Sequence, residues 1–240
     1  LREPDPEVVL SVQNLTRKGV FQDISFDVHK GEILGIGGLV GSGRTEVLRS
    51  IFGADKFDSG EITFQGKPLH PSVAGNIRKG FGLIPEDRRA QGFVPLGSIQ
   101  KNIALTNYDQ LSNAFHFVQQ NKAVHMCDEA ICKLDVRPNL PTMAVSKLSG
   151  GNQQKVVVGK WIVRDLKVLL VDEPTAGIDI GVKEEIYQIM ESLAKSGVLV
   201  LLVSSDLREL LRVSHRILVM RKGRIVKEFR GVSVTQEDVL

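Results

Sequence analysis

The sequence predicts an α/β fold: a parallel sheet with helices, an antiparallel β patch on one side and a helical insertion in the middle. Three observations point there. Val168-Leu169-Leu170-Val171 and Val198-Leu199-Val200-Leu201-Leu202-Val203 are short, continuously apolar and β-branched, as strands buried on both faces are. Residues 8–36 alternate apolar and polar, then become continuously apolar. Residues 97–147 carry mostly helical patterns with irregular joints.

Taken in order, residues 8–36 read as two or three antiparallel strands leading to one core strand, Glu32-Ile33-Leu34-Gly35-Ile36. A helix follows from Thr45 to Phe52. Glu61-Ile62-Thr63-Phe64 and Gly66-Lys67-Pro68-Leu69 read as a strand and a turn, and Phe81-Gly82-Leu83-Ile84-Pro85 as a short strand broken by proline. Leu148 opens a helix running to about Arg164. The strand at 168–171 precedes a helix over about 181–196, and the strand ending at Val203 precedes a short helix at Leu207–Val213. Arg216–Met220 and Arg224–Phe229 flank Lys222-Gly223, a hairpin signal. There is no internal repeat and no low-complexity tract.

At 240 residues the chain can build one large α/β domain or two small subdomains. Its 42% hydrophobic and 25% charged content is that of an ordinary globular protein. A net charge of +3 is too balanced to argue for a nucleic-acid partner, and no basic arm bearing aromatics is found. Cys127 and Cys132 sit on different faces of a helix, which favours neither a metal pair nor a disulfide. No apolar run approaches the ~18 residues that cross a membrane, and no signal peptide is seen. Leu1-Arg2-Glu3-Pro4-Asp5-Pro6 reads as a linker, and Glu237-Asp238-Val239-Leu240 as an interrupted helix. Both suggest a piece of a longer protein.

Chemistry enters at Gly38-Leu39-Val40-Gly41-Ser42-Gly43-Arg44-Thr45, between the core strand and its helix. The spacing is that of a phosphate-binding loop, whose amides and helix N-terminus cradle phosphates. The lysine such a loop requires is replaced by Arg44. Lysine is a compact point charge and arginine a planar fork, so the exchange is not conservative. The loop predicts nucleotide binding and argues against efficient hydrolysis.

Further segments follow in order. Leu148-Ser149-Gly150-Gly151-Asn152-Gln153-Gln154 opens a helix; Asp172-Glu173 ends a buried strand; Pro174-Thr175-Ala176-Gly177-Ile178-Asp179 comes at once. In this order, after a phosphate loop, the set resembles an ATP-binding-cassette nucleotide-binding domain across essentially the whole chain. The resemblance implies an ABC-type ATPase fold with a RecA-like core. Residues 1–7 would be a linker from a preceding cassette and 8–240 one nucleotide-binding domain. Its antiparallel β and RecA-like core would cover about 8–95 and 150–240, and its helical subdomain about 96–149. Gly38, Gly41, Ser42, Gly43, Arg44, Thr45 and Glu46 would bind ATP, with Thr45 and Asp172 on Mg²⁺ and Glu173 as general base. Ser149, Gly150, Gly151 and Asn152 would form the signature that serves the nucleotide of a head-to-tail partner, and Asp179 would belong to the D-loop that follows Asp172-Glu173.

Four positions depart from the family pattern. Arg44 replaces lysine. Ser205, in Val203-Ser204-Ser205, stands where a histidine normally reaches the γ-phosphate. Glu86 replaces the usual glutamine that contacts Mg²⁺ and water. The aromatic that stacks on adenine is missing, and Phe21, its one candidate substitute, is expected to pack in the core instead. Gly43-Arg44-Thr45, Pro85-Glu86-Asp87-Arg88, Leu148 through Lys155 and Val203-Ser204-Ser205 are similar to the second cassette of tandem ATPases that drive bacterial monosaccharide importers, of the ribose, galactose, xylose and arabinose type. That implies the first cassette of the same polypeptide, or a second copy, as dimer partner. It also implies membrane-spanning permease subunits docking at Glu86–Phe93 and the helical insertion, a sugar-binding protein acting indirectly, and a place on the cytoplasmic face of the cell membrane. Arg88-Arg89 reads equally as a solvated pair. Two alternatives remain open: a catalytically competent cassette in its own right, and a non-transport relative acting on nucleic acid.

Overall fold

The computed structural model describes residues 3–115 and 117–230. It divides into two compact units: the described residues of Leu1–Leu83, Lys167–Glu173 and Tyr187–Leu240, and those of Ile84–Leu166 and Pro174–Ile186. The suggested terminal helix at 237–240 lies outside the described residues.

In the first unit, β1 (Val8–Arg17), β2 (Phe21–His29), β4 (Ser59–Phe64) and β5 (Lys67–Pro68) form an antiparallel sheet in the order β2-β1-β4-β5. Leu10 pairs with Val28, Val12 with Phe26 and Leu15 with Ile24, which sets one apolar row against another. The alternation slips between Val12 and Leu15, where Asn14 adopts φ 51° and the strand bulges. Phe21 is 2% exposed, a packing residue.

A six-stranded sheet runs in the order β10-β9-β3-β8-β7-β6, with β3 (Ile33–Gly38), β6 (Phe81–Ile84), β7 (Val168–Asp172), β8 (Leu199–Val203), β9 (Arg216–Arg221) and β10 (Arg224–Arg230). β3 pairs in parallel with both β8 and β9, and β7 with β8. β7 and β8 are buried along their whole length, which is why their sequences are unbroken apolar runs rather than alternating ones. β9 and β10 form the expected hairpin; Lys222 and Gly223 both take positive φ (48° and 74°), as the tight turn requires.

Helix α1 (Arg44–Phe52) packs on β3, β7 and β8, and α8 (Leu207–Val213) on β3. A buried ion pair, Arg216 Nε to Glu32 Oε1 at 2.8 Å, ties β9 to the start of β3. Desolvation opposes ionisation of Glu32, but hydrogen bonds from Arg216 and His29 outweigh it and hold the carboxyl below its usual range. Helix α2 (Val73–Arg78) was not expected; its one signal is Ser72, which caps it by accepting from the Gly75 amide at 3.1 Å.

In the second unit, α3 (Ile99–Ala104), α5 (Gln120–Leu134) and α6 (Gly150–Ile162) pack on one another, with α4 (Tyr108–Leu111) against α5. Gly159 lets them approach: a Cβ there would touch Leu134, Ala130 and Ile103. The irregular joints foreseen at 97–147 are closed by buried asparagines. Asn102 bonds the backbone of Val94, Gly97 and Ser98, and Asn107 bonds the carbonyls of Ile103 and Lys160. Cys127 is buried, Cys132 exposed, and both are free thiols. Among the described residues no helix is long and apolar enough to cross a membrane. Helix α7 (Ile180–Lys195) begins in this unit and ends in the first.

Candidate functional site

The loop between β3 and α1 is shaped by two glycines that nothing else could replace. Gly38 takes φ 150°, and a Cβ there would collide with the Met220 carbonyl. Gly43 takes φ 95° as the N-cap of α1, and its Cβ would stand 3.0 Å from the Val20 carbonyl. The β9–β10 turn props the loop from below, since the Gly223 amide donates to the Ser42 carbonyl at 3.1 Å. Leu39, Val40 and Gly41 form the exposed crest. The first α-helical bond runs from the Val47 amide to the Gly43 carbonyl. The amides of the first turn therefore stand at the helix N-terminus, the position where helices hold anions.

Two features fit phosphate and Mg²⁺. Ser42 Oγ is buried and makes no hydrogen bond among the described residues. Thr45 and Glu46 are half-buried in the first turn of α1, and α1 packs on β7, whose last residue, Asp172, is 3% exposed. No three His, Cys, Asp or Glu side chains converge among the described residues. One hydroxyl and one carboxylate suit a Mg²⁺ that completes its shell with substrate phosphate and water.

Arg44 is turned away from the crest of the loop. It is 5% exposed; its Nη1 donates to the Ser204 carbonyl at 2.5 Å and its Nη2 lies 3.6 Å from Glu173 Oε1. That same Glu173 oxygen accepts the Ser205 amide at 2.6 Å. Strand register explains the meeting: Asp172 pairs with Val203 and Ile36 with Val203, so β7 and β8 end level with Ile36, just before the loop that follows β3. Glu173 takes φ 44° just beyond its strand. Ser205 is exposed and reaches Glu173 through its backbone. Ser204 is fully buried, its Oγ donating to Glu209 at 2.5 Å and accepting the Asp206 amide at 3.0 Å.

Ser149, Gly150, Gly151, Asn152, Glu86 and Asp179 belong to the second unit. Ser149 is exposed and caps α6, its Oγ accepting from the Asn152 amide at 3.4 Å and from Asn152 Nδ2 at 3.0 Å. Both bonds use lone pairs and leave the O–H as a donor. Asn152 also accepts the Arg137 amide at 2.7 Å, a role as a clamp that the sequence did not suggest. Gly151 allows the first turn of α7 to close in; a Cβ would lie 2.8 Å from Val182. Asp179 is exposed, and its carbonyl accepts the first α7 amides, from Val182 and Lys183. Glu86 is exposed. Asp87 beside it caps a π-turn at Arg88–Gly92, accepting the Arg89 and Ala90 amides at 3.0 Å. The Arg88-Arg89 pair splits: Arg89 is exposed, whereas Arg88 donates to the carbonyls of Ala176 at 2.8 Å and Gly177 at 3.4 Å.

The sequence pattern of the ABC transporter family matches residues 21–176. The chain is 48% identical over 237 residues to the ribose import ATP-binding protein RbsA 2 of Streptomyces avermitilis, covering 98% of this chain and 46% of that protein. It is 44% identical over 243 residues to the ribose import ATP-binding protein RbsA of Bacillus licheniformis, covering 100% and 49%. It thus spans about half the length of these curated relatives. Among solved structures it is similar to a nucleotide-free ATP-binding cassette from an ABC transporter, at TM-score 0.79 and 22% identity over 94% of this chain and 92% of that one. A dimeric ATP-binding cassette in a post-hydrolysis state with ADP and Pi superposes at TM-score 0.80 and 20% identity, covering 94% and 100%. These two similarities establish the ABC ATPase fold.

Proposed function

The chain belongs to the ABC transporter family, and on that footing we propose that it is the second nucleotide-binding cassette of a monosaccharide importer. It holds ATP in its own loop with little turnover and gives its signature turn to the competent site of the first cassette. The observation that carries this reading is Arg44, whose guanidinium is taken up by the Ser204 carbonyl and the Glu173 carboxylate. The sugar is supported by the ribose import relatives, and the tandem arrangement by a chain that spans 46% of the first of them.

The chemistry follows from the residues. The amides at the start of α1, with Ser42, bind the phosphates; Thr45 and Asp172 hold Mg²⁺, which when bound supplies charge neutralisation at the phosphate oxygens. Glu173 is placed to orient water, but the Ser205 amide and Arg44 both favour its present position. Ser205 has no imidazole to reach the γ-phosphate. At the α6 N-terminus, the Ser149 hydroxyl and the Gly150 and Gly151 amides form a donor set for a phosphate brought by the partner cassette. Closure of the two cassettes is passed to permease subunits at the membrane through the segment from Glu86 to Phe93 and the helices after it. The domain boundaries of 8–95 with 150–240, and 96–149, belong to the same proposal.

Uptake of radiolabelled ribose tests the importer role. Cells lacking the parent gene should lose uptake and regain it with the wild-type gene. Uptake unchanged by the deletion would remove the sugar-import reading.

A further inference from the structure

Arg88 is half-buried in the turn that follows Glu86-Asp87, yet no role falls to it from the nucleotide chemistry. Its Nη1 and Nη2 donate to consecutive carbonyls, Ala176 and Gly177. The missing Cβ of Gly150 would lie 2.9 Å from Nη2, so the guanidinium lies against the bare first residue of α6. Its Nε–H is buried and finds no acceptor among the described residues, and partial burial, then the neighbouring Arg89, opposes its charge more than Asp87 favours it. A charged group kept at such a cost is held there for its geometry. The far end of the same π-turn is anchored as well. Lys160 Nζ, from α6, donates to the Gly92 carbonyl at 2.6 Å, and a Cβ on Gly92 would meet Val157 at 2.9 Å. The turn is thereby pinned at both ends to the elements that present Ser149–Gly151 and Ala176–Gly177.

We infer that Arg88 is a positioning residue, a strut that fixes the signature turn against the Ala176–Gly177 loop and transmits movement of the Glu86-Asp87 segment to both. The inference rests on the reading that Ser149–Gly151 serve a partner's ATP site. A planar fork spans two carbonyls; lysine reaches one and alanine neither.

The experiment is ATP turnover by the intact parent protein with its permease in proteoliposomes, comparing Arg88→Ala, Arg88→Lys and Ser149→Ala. With the strut removed the γ-phosphate clamp is misplaced and nucleotide affinity is untouched. Arg88→Ala should lower kcat about tenfold with KM within about twofold, and Arg88→Lys should fall between it and wild type. If Arg88→Ala does not fold, Arg88→Lys decides: a lowered kcat at unchanged KM supports the strut. A kcat within about twofold of wild type for the folded variants, while Ser149→Ala abolishes turnover, overturns the strut and leaves the signature reading standing. Turnover unaffected by Ser149→Ala overturns the reading beneath it.

Discussion

The guanidinium of Arg44 faces inward, onto a carbonyl and a carboxylate of its own unit, and this makes it part of the fold before any nucleotide arrives. A buried hydrogen bond from a charged donor contributes about 1.5–3 kcal/mol. In a chain of this size each kcal/mol moves Tm by roughly 2–4 °C, so Arg44→Ala should lower the nucleotide-free Tm by about 3–12 °C. A cation held only for phosphate would leave that Tm within about a degree; differential scanning calorimetry distinguishes the two. The replacement of lysine by Arg44 and of histidine by Ser205 is legible in the sequence, as is the loop around them. What Arg44 binds is not, because its acceptor lies 160 positions away and is reached only through the β3–β8 register. For the same reason the contribution of Ser205, a backbone amide to Glu173, is invisible when side chains alone are read.

At the scale of elements, α6 carries a buried cation that the sequence does not reveal, since a lysine in an amphipathic helix ordinarily faces water. Lys160 is 7% exposed, and burial brings its ammonium from 10.5 down to about 8. Between those two values the unfolded chain binds a proton that the folded chain does not. Stability should therefore rise with pH from about 8 toward 10.5, by up to ~1.4 kcal/mol per unit. Lys160→Met should flatten that rise. Urea midpoints at pH 8, 9 and 10 measure it, and parallel curves for the two proteins would contradict it. The long elements were legible because their periods are clean: α7, the β9–β10 hairpin and the buried strands all fall within a residue or two of expectation. α2 was not, since six residues after Ser72 carry too little period to read. The irregular joints of 97–147 are legible, but the buried Asn102 within α3 and Asn107 at the start of α4 that close them are not, because asparagine is ordinarily exposed.

At the scale of the molecule, the order of motifs named the family where no single motif could. Gly38–Thr45, Ser149–Gly151 and Asp172-Glu173 are each short; they lie at the start of α1, the start of α6 and the end of β7. One unit carries the loop, Asp172, Glu173 and Ser205, and the other the signature, Glu86 and Asp179. The second compact unit joins Ile84–Leu166 to Pro174–Ile186. Compactness is set by packing between segments distant in the chain, which periodicity does not report. The proposed division of labour, one site filled and idle while its signature activates another, is tested most directly by ATP turnover of the intact parent protein carrying Ser149→Ala or Glu173→Gln, side by side. Turnover abolished by Ser149→Ala and retained with Glu173→Gln is the expected result. Abolition by both would show that the pocket around Arg44 is catalytic and that Arg44 and Ser205 do not mark an idle site.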